Sequence, residues 1–309
     1  MDSSVYIVIF IVLSFELAIG AGKNWGYEKT DYGPGDWGKM APLCSRQHQS
    51  PIDINISAAK TEKSYRGLVL NVEQNVGGAV TGSFINNGHV PTFHVNNKKG
   101  AVTLNGGPLG KILHILHQFH FHFGCNSSVG SEHRVDGKHF AAEMHLVFYN
   151  SLYESFQKAV SKHDGLAVVG VFLQVDGTFS EWMEKIAVSL KNIKRPNGIQ
   201  YHLGDSIPLA SLIPDLASVN APYFTYKGSL TTPPCYESVQ WIVLENPISV
   251  TESQLEIMRT LTSTDGNHLC NNFRPVKPLN GRKLFKGPGE KTYPGEFSRR
   301  LFLRTIKQH

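Results

Sequence analysis

The sequence has 309 residues, of which 41% are hydrophobic and 18% are charged, and its formal net charge is +5. This balance is typical of a folded globular protein and excludes an intrinsically disordered chain. Lysine and arginine do not cluster with aromatic residues in any stretch, so the modest basic excess does not predict nucleic-acid binding.

Residues 1–20 have the pattern of a signal peptide. An apolar run over residues 5–15 is too short for a comfortable membrane span, and small residues follow at Ala18 and Gly20. We expect cleavage near Gly20, which leaves residues 21–309 as one mature domain. The alternative is a single N-terminal anchor, because no basic residue precedes the apolar run and Glu16 directly follows it.

The mature chain is expected to be secreted and to contain no membrane span. The segment that ends at His309 lacks the long apolar tail of a lipid-anchor signal or a membrane stop. Glycosylation acceptor triplets begin at Asn55 and Asn126, in agreement with secretion. An even number of cysteines in a secreted chain predicts disulfide bonds, with several connectivities open to Cys44, Cys125, Cys235 and Cys270.

Short segments rich in β-branched and aromatic residues, separated by glycine and asparagine, predict strands in the first half of the chain. Residues 24–50 are rich in Gly, Pro, Trp and Tyr and are expected to form an irregular arm instead. The predicted strands cover residues 49–54, 68–72, 82–86, 92–95 and 101–104. Two strands that carry histidines follow, within residues 118–124 and 140–149, with a polar loop between them.

The second half of the chain adds buried strands and helices. Residues 165–175 form a nearly continuous apolar run, typical of a strand buried on both faces, and residues 238–245 predict another. Apolar positions mostly four residues apart predict helices over residues 151–162 and 179–193. A third helix should begin at Thr251, with Gln254 placed for a capping box, and the tail from Asn271 should be irregular. The pattern predicts a mixed α/β (α+β), β-dominated single domain with a large, twisted, mainly antiparallel central β-sheet and short peripheral helices.

His120 and His122 are the residues that point most directly to chemistry. In a strand, alternate side chains share a face, so both imidazoles would point one way and the flanking phenylalanines the other. His145, on the next histidine strand, would complete a three-nitrogen set for Zn²⁺ with an open fourth position. The alternative is a packed or solvated histidine pair without a metal.

Two polar residues favour the metal over that alternative. Gln118 and Glu143 each lie two residues before one of these histidines and would share its face. There each can accept a hydrogen bond from the ring nitrogen that does not bind the metal. A histidine pair in a core has no need of such partners.

Several segments resemble the signature of the α-class carbonic anhydrases, and they follow the same order along the chain. They are Gln49-Ser-Pro-Ile-Asp53, Asn86-Asn-Gly-His89, residues 118–124, Gly130-Ser-Glu-His133, residues 142–147, residues 226–234, Val239-Gln-Trp241 and Asn272-Phe-Arg-Pro275. The similarity extends over essentially the whole mature chain. It implies a secreted zinc enzyme that hydrates carbon dioxide reversibly to bicarbonate and a proton through attack by a zinc hydroxide, and that sulfonamides and anions inhibit.

The resemblance also assigns roles to individual residues. His120, His122 and His145 would hold the zinc, and the shell around these ligands would contain Gln118, Glu143 and Asn272. Thr231 would accept a hydrogen bond from the hydroxide and donate one to Glu132, which orients the attacking lone pair. The apolar wall that holds carbon dioxide would consist of Val147, Val168, Leu230, Val239 and Trp241.

The proton released by the reaction needs a way to bulk solvent. His89 would relay it, since a histidine titrates near neutrality, and Tyr27, Asn87 and Thr232 would order the intervening waters. Without the resemblance, a lone histidine in an Asn-Asn-Gly turn would be read as a surface residue. His117 is expected either in a structural role or at the rim of the pocket.

Secreted members of the family carry a disulfide at the positions of Cys44 and Cys235, which would brace the loop that bears Thr231. Cys125 and Cys270 match no such pair, and they could bridge, stay free or link two chains.

Two functions other than carbon dioxide hydration are open. An acatalytic relative that acts as a binding or matrix protein would be expected to lack a ligand histidine, and an esterase activity would be secondary.

Overall fold

A computed structural model describes residues 25–27, 32–72, 79–196 and 198–289. The predicted signal peptide and the last twenty residues of the predicted tail lie outside these ranges. The strands are β1 (Asp53–Ile54), β2 (Lys60–Thr61), β3 (Leu68–Val72), β4 (Gly82–Asn86), β5 (Pro91–Val95), β6 (Val102–Gly106), β7 (His114–Phe123), β8 (Arg134–Val135), β9 (Ala142–Asn150), β10 (Leu166–Val175), β11 (Gln200–His202), β12 (Tyr223–Gly228), β13 (Val239–Leu244), β14 (Ile248–Val250) and β15 (Phe285–Gly287). The α-helices are α1 (Trp37–Met40), α2 (Phe156–Ala159), α3 (Glu181–Leu190), α4 (Leu209–Leu212) and α5 (Glu252–Arg259).

Most strands within the described ranges belong to one 13-stranded sheet. Its central strands run in the order β5, β7, β9, β10, β13 and β12. Neighbouring strands pair antiparallel along this row except β10 and β13, which are parallel, and β14 also pairs parallel with β10. The predicted fold class, a β-dominated single domain with a mainly antiparallel sheet and short helices, is confirmed.

The two faces of the central sheet pack against different parts of the molecule. One face carries the alternate side chains Phe119, Phe121 and Phe123 of β7, which join a large core that also includes residues of α3 and α5. The opposite face contributes to a second apolar cluster that includes Val147 and Trp241. Residues 165–175 were predicted to be buried on both faces, and the first eight residues of β10 are all buried.

The helix predicted over residues 151–162 is wrong in extent. The structure has a 3₁₀ turn at Ser151–Tyr153 and then the four residues of α2. Between them, Glu154 adopts a left-handed backbone conformation with φ of +62°, which ends the first turn. Ser155 then caps α2 by accepting a hydrogen bond from the backbone amide of Lys158 at 3.3 Å. Leu152, the first of the apolar residues in this segment, is 72% exposed.

Other elements lie close to their predicted places. α3 begins after its N-cap Ser180 and continues into a 3₁₀ turn at Lys191–Ile193. Thr251 and Gln254 form the predicted capping box at the start of α5. The strand predicted at residues 49–54 shortens to β1, and β12 and β15 were not predicted as strands. No helix in the described part of the chain is long and apolar enough to cross a membrane.

Candidate metal centre

The antiparallel register of β7 and β9 brings His120, His122 and His145 to one face of the sheet. His120 pairs directly with His145, and His122 lies two residues further along the same strand. One ring nitrogen from each histidine lies within 4.8 Å of the others. The phenylalanines between them point to the opposite face and are fully buried, as alternation predicts.

Each of the three rings has a hydrogen-bond acceptor on its other nitrogen. Gln118 Oε1 lies 3.0 Å from His120 Nδ1, and Glu143 Oε1 lies 2.8 Å from His145 Nε2. The backbone carbonyl of Asn272 lies 2.7 Å from His122 Nδ1. Because all three partners accept, each contacting ring nitrogen must carry the proton, and the opposite nitrogen of a neutral ring keeps its lone pair.

Burial favours the neutral form of His120 and His122. It lowers the pKa of His120 well below its ordinary value, and it lowers the pKa of His122 to about 3; the charges of neighbouring histidines act in the same direction. His122 Nε2 is buried and has no hydrogen-bond partner among the described residues. An unpartnered buried lone pair beside two others fits a divalent cation, and imidazole is a ligand that zinc and other transition metals accept.

Glu143 is held by more than the histidine that it orients. Its Oε1 also accepts from His133 Nδ1 at 2.7 Å, and its Oε2 accepts from the backbone amide of His133 at 2.8 Å. Burial alone would raise the pKa of Glu143, but His133 and His145 overcome this effect and hold it well below the ordinary value. Gly170 pairs with His145 on the next strand, and a Cβ there would lie 3.0 Å from Glu143 Oε1. Glycine therefore leaves the room that the carboxylate needs.

His133 completes a buried chain of hydrogen bonds. Its Nε2 lies 2.7 Å from the hydroxyl of Tyr226, which in turn donates to Ser50 Oγ at 2.9 Å. His133, Glu143 and His145 also lie close enough together to hold a metal. Since the Glu143 oxygens are engaged by His133, we assign this trio to orienting His145 rather than to a separate metal site.

Glu132, which the resemblance assigned to accept from Thr231, lies at the edge of the ligand set. Its Oε2 is 3.5 Å from His122 Nε2, and its Oε1 accepts from the backbone amide of Arg274 at 2.7 Å. Burial raises the pKa of Glu132 to about 7, against the lowering effects of His145 and the Thr231 hydroxyl. Thr231 is near enough to act on this carboxyl group, but Oε2 has no hydrogen bond of ordinary geometry in the described part of the chain.

Four of the five apolar residues assigned to the pocket lie together on three adjacent strands, and the fifth, Leu230, lies in the loop after β12. Val147 on β9 pairs with Val168 on β10, and Val168 pairs with Trp241 on β13. Val239 is buried in the same cluster, and Leu230 packs against it. The Trp241 ring lies 4.8 Å from that of His145, so the structure brings the wall to the side of the histidines.

The residues assigned to proton relay lie near the N-terminal arm. His89 is half-buried and stacks on Trp25, and Asn87 Oδ1 accepts from the His89 backbone amide at 2.9 Å. The buried Tyr27 hydroxyl has no partner among the described residues. Thr232 is half-buried in the loop after Thr231, where its carbonyl accepts from the backbone amide of Cys235.

The structure contains two disulfide bonds. One joins Cys44 to Cys235 with an S–S distance of 2.06 Å, and both of these residues are buried. The other joins Cys125 to Cys270, which answers the question that the sequence left open. The glycosylation candidates Asn55 and Asn126 are both exposed.

The resemblance placed Asn272 in the shell around the ligands, but two details of the structure have no signal in the sequence. The acceptor for His122 is a main-chain oxygen 150 residues away along the chain, and no side-chain pattern marks it. His117 lies at a bulge between Leu116 and Gln118, where its ring stacks on Phe156 at a centroid distance of 4.2 Å. A shift in strand register has no clear signal in the sequence.

Comparison with known proteins agrees with this geometry. The family model of the eukaryotic-type carbonic anhydrases matches residues 32–287. The chain is 41% identical to human carbonic anhydrase 7 over 264 residues, which cover 84% of this chain and 95% of that protein. Both matches extend far beyond the histidine strands. The chain therefore belongs to the eukaryotic-type carbonic anhydrase family.

Proposed function

We propose that this chain is a zinc enzyme that hydrates carbon dioxide reversibly to bicarbonate and a proton. The observation that carries the proposal is the convergence of three imidazole nitrogens, each left with a lone pair by an acceptor on the far side of its ring. Three histidines with an open fourth position are typical of catalytic zinc. When bound, zinc supplies a Lewis acid that lowers the pKa of water toward neutrality.

Glu132 and Thr231 would orient the attacking oxygen. An ionised Glu132 can only accept hydrogen bonds, so the Thr231 hydroxyl would donate to it and would accept from the attacking oxygen. This arrangement turns a lone pair of that oxygen toward the substrate. A cation held by the histidines favours the ionised form of Glu132, because a nearby positive charge lowers the pKa of a carboxyl group.

Carbon dioxide would bind against the wall formed by Val147, Val168, Leu230, Val239 and Trp241. Its carbon would face the attacking oxygen while its apolar surface lies on the valines and Trp241, out of water. The sequence shows no dedicated general base and no ester-binding motif, so esterase activity would be secondary to hydration.

His89 would carry the released proton to solvent, with Tyr27, Asn87 and Thr232 ordering the waters between. In the stacked position, burial lowers the pKa of His89 to about 4. The ring would accept a proton at neutral pH only when it is better hydrated, because water stabilises the imidazolium. We therefore assign proton relay to a position of His89 away from Trp25.

We further propose that the mature protein is secreted. The apolar run near the N-terminus supports this, and so do two disulfide bonds, since disulfides form and persist in oxidising compartments.

Stopped-flow measurement of carbon dioxide hydration, with zinc content determined on the same sample, tests the proposed function. We expect zinc bound at one equivalent and hydration that a sulfonamide inhibits. His120→Ala should lose both zinc and activity, whereas His94→Ala, which removes a histidine outside the triad, should keep both. A folded, zinc-loaded protein without sulfonamide-sensitive hydration would refute the proposal and favour an acatalytic binding protein.

A further inference from the structure

The Cys125–Cys270 disulfide lies beside the metal centre. Cys125 follows the last residue of β7 by two positions, and β7 carries His120 and His122. Cys270 precedes Asn272, the residue whose carbonyl accepts from His122, by two positions. The disulfide therefore joins the end of the ligand strand to the segment that orients one of its ligands.

Hydrogen bonds connect the same two segments that the disulfide joins. The backbone amide of Cys125 donates to Asn271 Oδ1 at 3.1 Å, and that of Phe123 donates to Asn272 Oδ1 at 2.7 Å. Asn272 Nδ2 donates to the carbonyls of Phe121 and His89, at 3.2 and 3.1 Å. Residues 270–272 thus touch both the ligand strand and the turn that carries His89.

The two segments that the disulfide joins differ in the other contacts that hold them in place. Arg259 fixes the turn after β7, since it donates to the Gly124 carbonyl at 2.9 Å and to Ser127 Oγ at 2.8 Å. The 270–272 segment is held through Asn272, whose side chain bonds the ligand strand and the His89 turn and whose backbone amide donates to the Phe123 carbonyl at 3.4 Å. The residues before it, 264–268, are exposed, and Asn271 has a left-handed backbone with φ of +51°. When the disulfide opens, Arg259 still holds the turn after β7. Residues 270–272 keep their hydrogen bonds but lose their covalent link to that turn, so the acceptor segment should gain freedom relative to the ligand strand.

We propose that the Cys125–Cys270 disulfide is a positioning element of the metal centre, which keeps the Asn272 carbonyl on His122 Nδ1 and so slows loss of the metal. The inference rests on the proposed function in one respect, that the three histidines hold a metal. A ligand histidine loses metal affinity when its outer hydrogen bond is lost, since that bond fixes the orientation of the ring.

The same geometry makes metal retention sensitive to reductants. Cys125 is exposed and Cys270 half-buried, whereas Cys44 and Cys235 are both buried, so a dithiol should reach the Cys125–Cys270 bond first. The dithiol attacks one sulfur as a thiolate and then closes on itself. Two electrons and two protons pass to the protein, which gains two thiols, and the reagent leaves as a cyclic disulfide.

The test compares zinc release from the full-length protein and from the double variant C125S/C270S, with a chromophoric chelator in excess. We expect release about tenfold faster in the variant, the size of effect seen when an outer hydrogen bond to a metal ligand is lost. The matched control C44S/C235S removes the other disulfide and should release zinc at the wild-type rate. Brief treatment of the wild-type protein with a dithiol should reproduce the fast release, which keeps the test valid if either variant fails to fold.

A second readout separates positioning from general stabilisation. The His122 Nδ1 proton, followed by NMR in the zinc-loaded protein, should exchange with solvent faster in C125S/C270S than in the wild type. Equal zinc release and equal exchange, together with a lower melting temperature, would show a purely structural disulfide and overturn the inference. A wild-type protein that binds no zinc would instead refute the proposed function.

Discussion

The His89 ring lies flat against Trp25, with ring centroids 3.8 Å apart and an angle of 10° between the planes. Burial lowers the pKa of His89 to about 4. A histidine with a depressed pKa favours the folded state above its unfolded pKa of about 6.5 and loses that contribution as the pH falls toward 4. The contact with Trp25 thus opposes the protonation that a relay requires.

Replacement of Trp25 by alanine should raise the pKa of His89 toward its ordinary value, because the ring would then be hydrated. An NMR titration of the His89 ring protons, assigned with a His89→Ala sample, measures this pKa. Trp182→Ala, which removes a tryptophan packed on the large core, should leave the pKa of His89 unchanged. An unaltered pKa in Trp25→Ala would show that the stack does not control His89.

Removal of the acceptor on His120 should weaken metal binding without removing a ligand. In Gln118→Leu the Nδ1 proton of His120 loses its acceptor, Gln118 Oε1, which lies 3.0 Å away in the wild type. The orientation of the ring is then less firmly fixed. We expect zinc affinity to fall by about 10- to 100-fold. Competition with a chelator measures the affinity, and Gln174→Leu, at the far end of β10, serves as the control. Equal affinity in both variants would contradict the assignment of Gln118.

A bulky side chain in the apolar wall should block the substrate and spare the metal. Val147→Phe would fill space beside Val168 and Trp241 at a cost in stability of about 1–3 kcal/mol. We expect normal zinc content and a much lower kcat/KM for carbon dioxide. Val169→Phe overpacks the opposite face of the sheet, in the large core, and should destabilise the protein with a smaller effect on kcat/KM. Equal losses in the two variants would argue against a pocket at Val147.

The pKa of Glu132 predicts how the metal-free protein responds to pH. Burial raises this pKa from 4.5 to about 7, so the folded state binds a proton more tightly than the unfolded state does. The stabilising contribution is therefore complete below about pH 4.5 and is lost as the pH rises to about 7. A shift of this size corresponds to about 3 kcal/mol.

Urea denaturation of metal-free wild type and Glu132→Gln, repeated between pH 4.5 and 7, tests this prediction. The wild type should lose stability relative to the variant as the pH rises. His120 and His122, whose pKa values are depressed, produce the opposite trend, but they do so in both proteins and cancel in the difference. Parallel stability curves would show that Glu132 is ionised in the folded protein throughout this range.

The alternation of side chains between the two faces of a strand was enough to predict the centre of the site. The two-residue spacing of His120 and His122 placed them on one face, and the same rule placed Gln118 and Glu143 beside their histidines. Such rules succeed because strand geometry fixes the direction of every second side chain. They do not predict the role of Asn272, because it contributes its main-chain carbonyl oxygen, which every amino acid has.

Other failures have local physical causes. The predicted helix at residues 151–162 had apolar residues at suitable spacing, but Glu154 in a left-handed conformation separates its two halves. β12 was missed because its buried residues lack alternation, since neighbours cover both of its faces. The partner of Cys125 could not be deduced because cysteine spacing does not determine connectivity.

The three ligand histidines differ in whether a point mutation can remove the hydrogen-bond acceptor that orients them. A single codon change deletes the amide of Gln118 or the carboxylate of Glu143, but every amino acid brings a main-chain carbonyl to position 272. Genetic selection for lost metal binding should therefore recover alleles at positions 118 and 143 that act by deleting an acceptor, and none of that kind at 272. The acceptor of His122 survives any substitution at position 272, so its orientation depends on the path of the main chain there, which the Asn272 side chain and the Cys125–Cys270 disulfide help to fix.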